Sequence, residues 1–217
     1  MKCRSKLSLI AASLWLAASS AHALEAKISL DDLPTLTPEA QHATASKRVT
    51  SFFRTSHYKH FVLDDQLSQA MFERYVEMLD YSRNVFTQQD IDSFAKSAVQ
   101  LDDQLKSGKN DIAFDIYNLS MKRRYERFQY ALSLLDKEMT FDTDESIELD
   151  RSEAAWPKND AELDELWRKR VKYDALNLKM TGKDWKEIKE ILGKRYNNAL
   201  KRLSQARNED AFQLYMN

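Results

Sequence analysis

The stretch DWKEIKEILGKRYNNALKRLSQAR, residues 184–207, decides the fold class. Its Trp185, Ile188, Leu192, Tyr196, Leu200 and Leu203 recur at steps of three and four, which places them on one helix face. The same period continues on both sides. Asn208 starts a further helical pattern with Phe212, Leu214 and Tyr215. Upstream, Asn159-x-x-Glu162 has the form of a capping box. It opens a helix that turns Leu163, Leu166, Val171 and Leu178 to a core and ends at Thr181-Gly182. A long helix fits 111–136, with Ile112, Ile116, Leu119, Phe128, Leu132 and Leu135 on its buried face. Thr87 caps a predicted helix running to Ser107, with Ile91, Phe94, Ala98, Leu101 and Leu105 as its stripe, and Gly108 ends it. Leu67, Met71, Tyr75 and Met78 share a face over 64–79. Thr37-Pro38 offers a hydroxyl cap and a first-turn proline for a helix to about residue 54. Residues 139–157 lack a period and read as a long irregular connection, which makes them a candidate docking loop. The expected fold is all-α: an irregular domain of about six or seven helices.

Composition agrees. The 217 residues include three Gly and three Pro, so regular structure has few breakers. Four Trp, nine Tyr and ten Phe supply a packed core that a disordered chain would lack. Charged residues make up 31 %, but the formal net charge is −1, which gives no electrostatic reason to expect nucleic acid as the ligand.

The first residues read as a targeting segment. Lys2, Arg4 and Lys6 form a basic region, residues 7–18 are apolar, and Ala21-His22-Ala23 has the small-x-small form of a cleavage site. The apolar run falls short of the roughly 20 residues that a membrane span needs. The expected organisation is a signal peptide over 1–23, an extended lead-in over 24–37 and a helical domain over 38–217. The expected address is an exported compartment, the periplasm of a Gram-negative cell, with no membrane span after cleavage. Cys3 is the one cysteine and leaves with the signal, so no disulfide is expected.

Chemical motifs are weak. His57 and His60 are three apart, but a metal site needs further ligands, and His42 is the one other histidine after the signal. Ser56-x-x-Lys59 and Ser93-x-x-Lys96 have serine–lysine spacing without the accompanying Ser-Asp-Asn and Lys-Thr-Gly elements. Asp142, Asp144, Glu148 and Asp150 suggest a calcium loop, yet Ile147 stands where an EF-hand needs glycine. Residues 121–128 interleave basic and aromatic side chains; helical spacing lets Tyr125 and Phe128 point inward while the basic groups stay wet. No catalytic, cofactor-binding or metal-binding residue is assigned, and no cofactor is expected.

Longer strings carry a family resemblance. They include Gln41-His42-Ala43-Thr44, Arg48-Val49-Thr50-Ser51, Ser56-His57-Tyr58, Phe72-Glu73-Arg74-Tyr75 and Leu79-Asp80-Tyr81-Ser82. Tyr117-Asn118-Leu119, residues 122–127, Asp150-Arg151-Ser152, Trp156-Pro157-Lys158-Asn159, residues 179–183 and Lys201-Arg202-Leu203 continue them in order. In these the chain resembles the N-terminal segment of the bacterial tail-specific (C-terminal-processing) serine proteases. The resemblance implies a helical domain that precedes a PDZ domain and a protease core with a serine–lysine dyad. It implies a periplasmic endopeptidase acting on proteins with apolar C-terminal tails, with substrates and an adaptor protein as partners. Neither Ser-x-x-Lys string corresponds to that dyad, so this chain alone is expected to be inactive. The last helical pattern has no stop signal, which leads us to expect a piece of a longer polypeptide. The competing expectation is a free-standing exported helical binding protein.

Overall fold

The computed structural model describes residues 28–56 and 62–217. The expected signal peptide, the start of the lead-in, and His57, Lys59 and His60 lie outside them. Helix starts follow local side-chain chemistry. Asp64, Asn159 and Asp184 accept the N–H of the residue three positions on, at 2.9, 3.1 and 2.8 Å. Thr87 forms a reciprocal capping box with Asp90. Each such cap is worth about 1 kcal/mol. They open α2 (Asp65–Leu79), α3 (Gln88–Ala98), α6 (Asp160–Met180) and α7 (Trp185–Ser204). The set is completed by α1 (Ala40–Ser56), α4 (Leu101–Ser107), α5 (Asp111–Leu134) and α8 (Asn208–Met216), with a short 3-10 turn at Leu30–Asp32. No strand occurs among the described residues.

Two boundaries differ from expectation. α1 starts at Ala40, because Thr37 gives its N–H to Asn208 and the His42 ring takes the Glu39 N–H at 3.0 Å. The predicted helix over 87–107 is two helices. Ser68 on α2 makes the break: its hydroxyl donates to Ala98 O at 2.6 Å and accepts the N–H of Leu101 at 2.8 Å. One buried side chain thus satisfies backbone groups that an unbroken helix would pair internally. That split raises the count to eight α-helices among the described residues.

α5 is the spine. Its 24 residues span about 36 Å, and it packs against α4, α6, α7 and α8. Beside its first half lie Phe72, Tyr75, Leu79, Phe86 and Leu101, all buried. Its second half meets Leu163, Trp167, Val171, Ile188 and Leu192 from α6 and α7. Leu36, Phe114, Met121 and Phe212 fill the third cluster, where the lead-in and α8 cross α5. Residues 135–159 join α5 to α6 without a helix, as the sequence implies.

Candidate functional site

The motifs singled out in the sequence do not converge. Ser56 is exposed at the end of α1, and its partner Lys59 lies outside the described residues. Ser93 gives its hydroxyl to Asp90 O, and both it and Lys96 are exposed. Among the described residues no three His, Cys, Asp or Glu side chains come together as metal ligands. Asp142 and Asp144 are solvated, Glu148 pairs with Arg151, and Asp150 holds Ser152. His42 is buried: it stacks on Phe212 at 4.4 Å, and its Nε2 faces Glu209 at 3.2 Å. Because Nδ1 accepts the Glu39 N–H, Nε2 is the donor. The ring pins α1 to α8.

The basic run on α5 departs from its expected solvation. Arg123 makes a bidentate pair with Asp90 at 2.8 and 2.9 Å and meets Glu126 at 3.0 Å. Arg124 donates to Leu79 O, and the buried Arg127 pairs with Asp164. These guanidiniums bind α3, the α2 end and α6 to the spine. Fixed forks of this kind suit internal clamps, because the planar donors match two acceptors at once. The inward placement of Phe128 is as expected; its ring lies 5.8 Å from Trp167.

What the fold does build is an apolar groove of about 410 Å³ between α1, α2 and the end of α8. Val49 and Phe53 form one wall, Leu67, Met71 and Met78 the other, with Tyr215 at the end. On α1, Phe52 and Phe53 are exposed by 59 % and 41 %, and their rings meet edge-on at 6.4 Å. Among the described residues Arg54 and Arg74 line the groove and no acidic side chain does; Arg74 also pairs with Glu77 at 2.9 Å. In the floor, Tyr75 donates to Ala113 O at 3.0 Å and meets Tyr215 edge-on at 5.3 Å. The Tyr215 hydroxyl and Asp102 Oδ1 are buried without a hydrogen-bond partner among the described residues. Burial pushes both tyrosine hydroxyls well above their ordinary range. Among the described residues the groove has no nucleophile–base pair; thioethers, aromatics and aliphatics suit it to hold apolar side chains.

The family described as "Tail specific protease N-terminal domain" matches residues 49–217. The chain belongs to this family. A tail-specific protease from Haemophilus influenzae is 47 % identical over 186 residues. That match takes in 85 % of this chain but 26 % of the relative, so the chain spans about a quarter of the relative's length. A second family, the B melanoma antigen family, matches residues 1–37, mostly outside the described region, and carries no argument.

In this tail-specific protease N-terminal domain, the residues behind the resemblance are joints. Asp80 accepts the N–H groups of Asn84, Val85 and Phe86 at 2.8–3.0 Å. Burial lifts its carboxyl above the usual range, against the pull of those donors and of Arg124. Trp156 packs edge-on to Phe86, and Pro157 O takes the Gln88 N–H at 2.7 Å. Asn118 holds both the N–H and the carbonyl of Leu36, at 2.9 and 2.8 Å. Sequence reasoning missed the groove because it assigned Leu67, Met71 and Met78 to a shared face without knowing what covers it. The exposed pair Phe52-Phe53 was the available signal.

Proposed function

We propose that this chain is the helical scaffold domain of an exported, periplasmic tail-specific serine endopeptidase, and that it carries no catalytic group of its own. The longer polypeptide would contribute the PDZ domain and the serine–lysine dyad, process proteins from apolar C-terminal tails, and meet substrates or an adaptor partly through this domain. The apolar groove between α1 and α2 carries the reading, supported by the family membership. It offers a largely apolar lining, and the chain matches only about a quarter of its relative's length. No helix of the described residues is long and apolar enough to cross a membrane.

Two measurements test this. Purified chain mixed with a peptide ending in apolar residues should give no cleavage products; turnover would sink the inactive-scaffold reading. In a full-length enzyme carrying this domain, Phe53→Ser with Met71→Gln should lower processing about tenfold, the equivalent of one lost contact of 1.4 kcal/mol. Processing at the unaltered rate would remove the groove from the mechanism.

A further inference from the structure

The connection between α5 and α6 is pinned near both ends, and its tip is exposed. Near its start, Glu145 meets Arg168 at 3.0 Å and Lys172 at 3.4 Å on α6, and Lys179 Nζ lies 4.7 Å from the Phe141 ring centre. Near its end, Arg83 donates to Ala154 O and lies over the Trp156 ring at 5.5 Å. Between these pins Leu149 is 64 % exposed, flanked by Glu148 and Asp150. Residues 142–150 hold five carboxylates and no lysine or arginine. A lone exposed leucine is ordinary in itself; this one is singled out because the same chain carries its complement.

The apolar groove between α1 and α2 inverts the pattern of the loop. Its walls suit aliphatic side chains, and among the described residues its charged side chains are Arg54 and Arg74. Arg54 makes no ion pair among the described residues. In the Arg74–Glu77 and Arg151–Glu148 pairs the carboxylate is exposed, and such surface pairs are weak enough to exchange partners. Position agrees as well. Arg74 lines the groove and also a neighbouring pocket that takes in Trp156 from the end of the loop. Loop and groove therefore flank one helix, α2, while Leu149 lies outside the groove of its own chain. A two-fold axis alongside α2 sets each loop over the other copy's groove, since a self-complementary surface is repeated on both partners.

We propose that the apolar groove binds the Leu149 tip of a second copy of this chain, with Glu148 and Asp150 set against Arg54 and Arg74, in a reciprocal dimer. This rests on the reading of the groove as a contact surface. One loop in each groove makes a small interface, so the dissociation constant is on the order of 0.1 mM.

Sedimentation of the full chain at up to about 1 mM should show a monomer–dimer equilibrium that weakens about tenfold between roughly 0.05 and 0.5 M NaCl. Leu149→Ser should weaken it by about tenfold as well. Arg54→Glu with Arg74→Glu should abolish it, and so should Glu148→Lys with Asp150→Lys in a separate variant; thermal melts matching the parent chain establish that both fold. An equimolar mixture of these two variants should recover the dimer, because each acidic loop then meets an arginine-bearing groove and each basic loop an acidic one. A parent chain that stays monomeric, association that survives either double variant, or a mixture that fails to associate would overturn the inference. If processing by the full-length enzyme still fell with Phe53→Ser and Met71→Gln, the groove would keep its proposed role with a different partner.

Discussion

The two grooves lie on opposite halves of one spine and solve different problems. The α1–α2 groove is walled by Phe, Met and Leu and ends at Tyr215, whose hydroxyl has no hydrogen-bond partner among the described residues. The α5–α7 groove, of about 750 Å³, sets Leu132, Leu135 and Leu200 beside amides, two lysines and Asp136. Apolar walls reward burial of side chains at roughly 25 cal/mol per Å²; amide walls reward the pairing of peptide groups. The first is chemically suited to apolar side chains, and the second adds hydrogen-bonding groups to an apolar lining. A shared architecture of amphipathic helices yields both, because the choice is made at the few positions where two helices diverge.

Four substitutions or conditions would break or sharpen that contrast. The largest effect is expected at Gly108. It ends α4 at φ 76°, and an added Cβ would lie 2.7 Å from Lys47 Cε and 2.8 Å from Ala43 O. Gly108→Val should cost about 3 kcal/mol, combining left-handed strain with overpacking. It should detach α1 and expose α2 amides to hydrogen exchange while α6 and α7 stay protected; uniform loss of protection would refute the independence of the halves. Next is Ser68→Ala, which strands the Leu101 N–H and the Ala98 carbonyl and should lower stability by about 2 kcal/mol. A urea titration reads it directly, and a change under 0.5 kcal/mol would show that the α3–α4 break does not depend on that hydroxyl.

Smaller still is Phe53→Ser, on the exposed wall of the apolar groove. Stability should move by no more than about 0.5 kcal/mol, while fluorescence of an apolar dye bound to the groove falls; unchanged dye binding would relocate the hydrophobic surface. The gentlest lever is alkaline pH. Burial raises Tyr75 and Tyr215 on one half, and takes Tyr196 on the other to about 12. A raised folded pKa means that the unfolded chain gives up its protons first, so stability is complete below about pH 10 and declines as pH rises further. Thermal melts from pH 9 to 11 should show this decline, and Tyr196→Phe should flatten it in the α6–α7 half. A melting temperature that rises with pH would reverse the sign.

Sequence reading recovered most of the helical layout because its signals are local. Thr87 and Asn159 cap where they stand, Gly108 stops α4, and the apolar period of α7 faces the core; on α2, Tyr75 of the expected stripe is buried, while Phe72, Val76 and Leu79 form the rest of the core face. It failed where the cause is remote. The break at Val99-Gln100 is dictated by Ser68 on another helix, and the late start of α1 by Asn208 and the His42 ring. The arginines of α5 were expected in water, yet Asp90, Leu79 O and Asp164 come to them from across the fold. The grooves were illegible for the same reason: a period marks which residues share a face, and says nothing of whether that face finds a cover.

The serine that splices α3 to α4 has an evolutionary corollary. The bend at 99–100 is enforced from position 68, so its own residues are relieved of any duty to be glycine or proline. Drift, or even a short insertion, should be absorbed at that corner, while position 68 admits little beyond a small hydroxyl. A screen of random replacements at both places would find the strictest requirement some thirty residues away from the turn it controls.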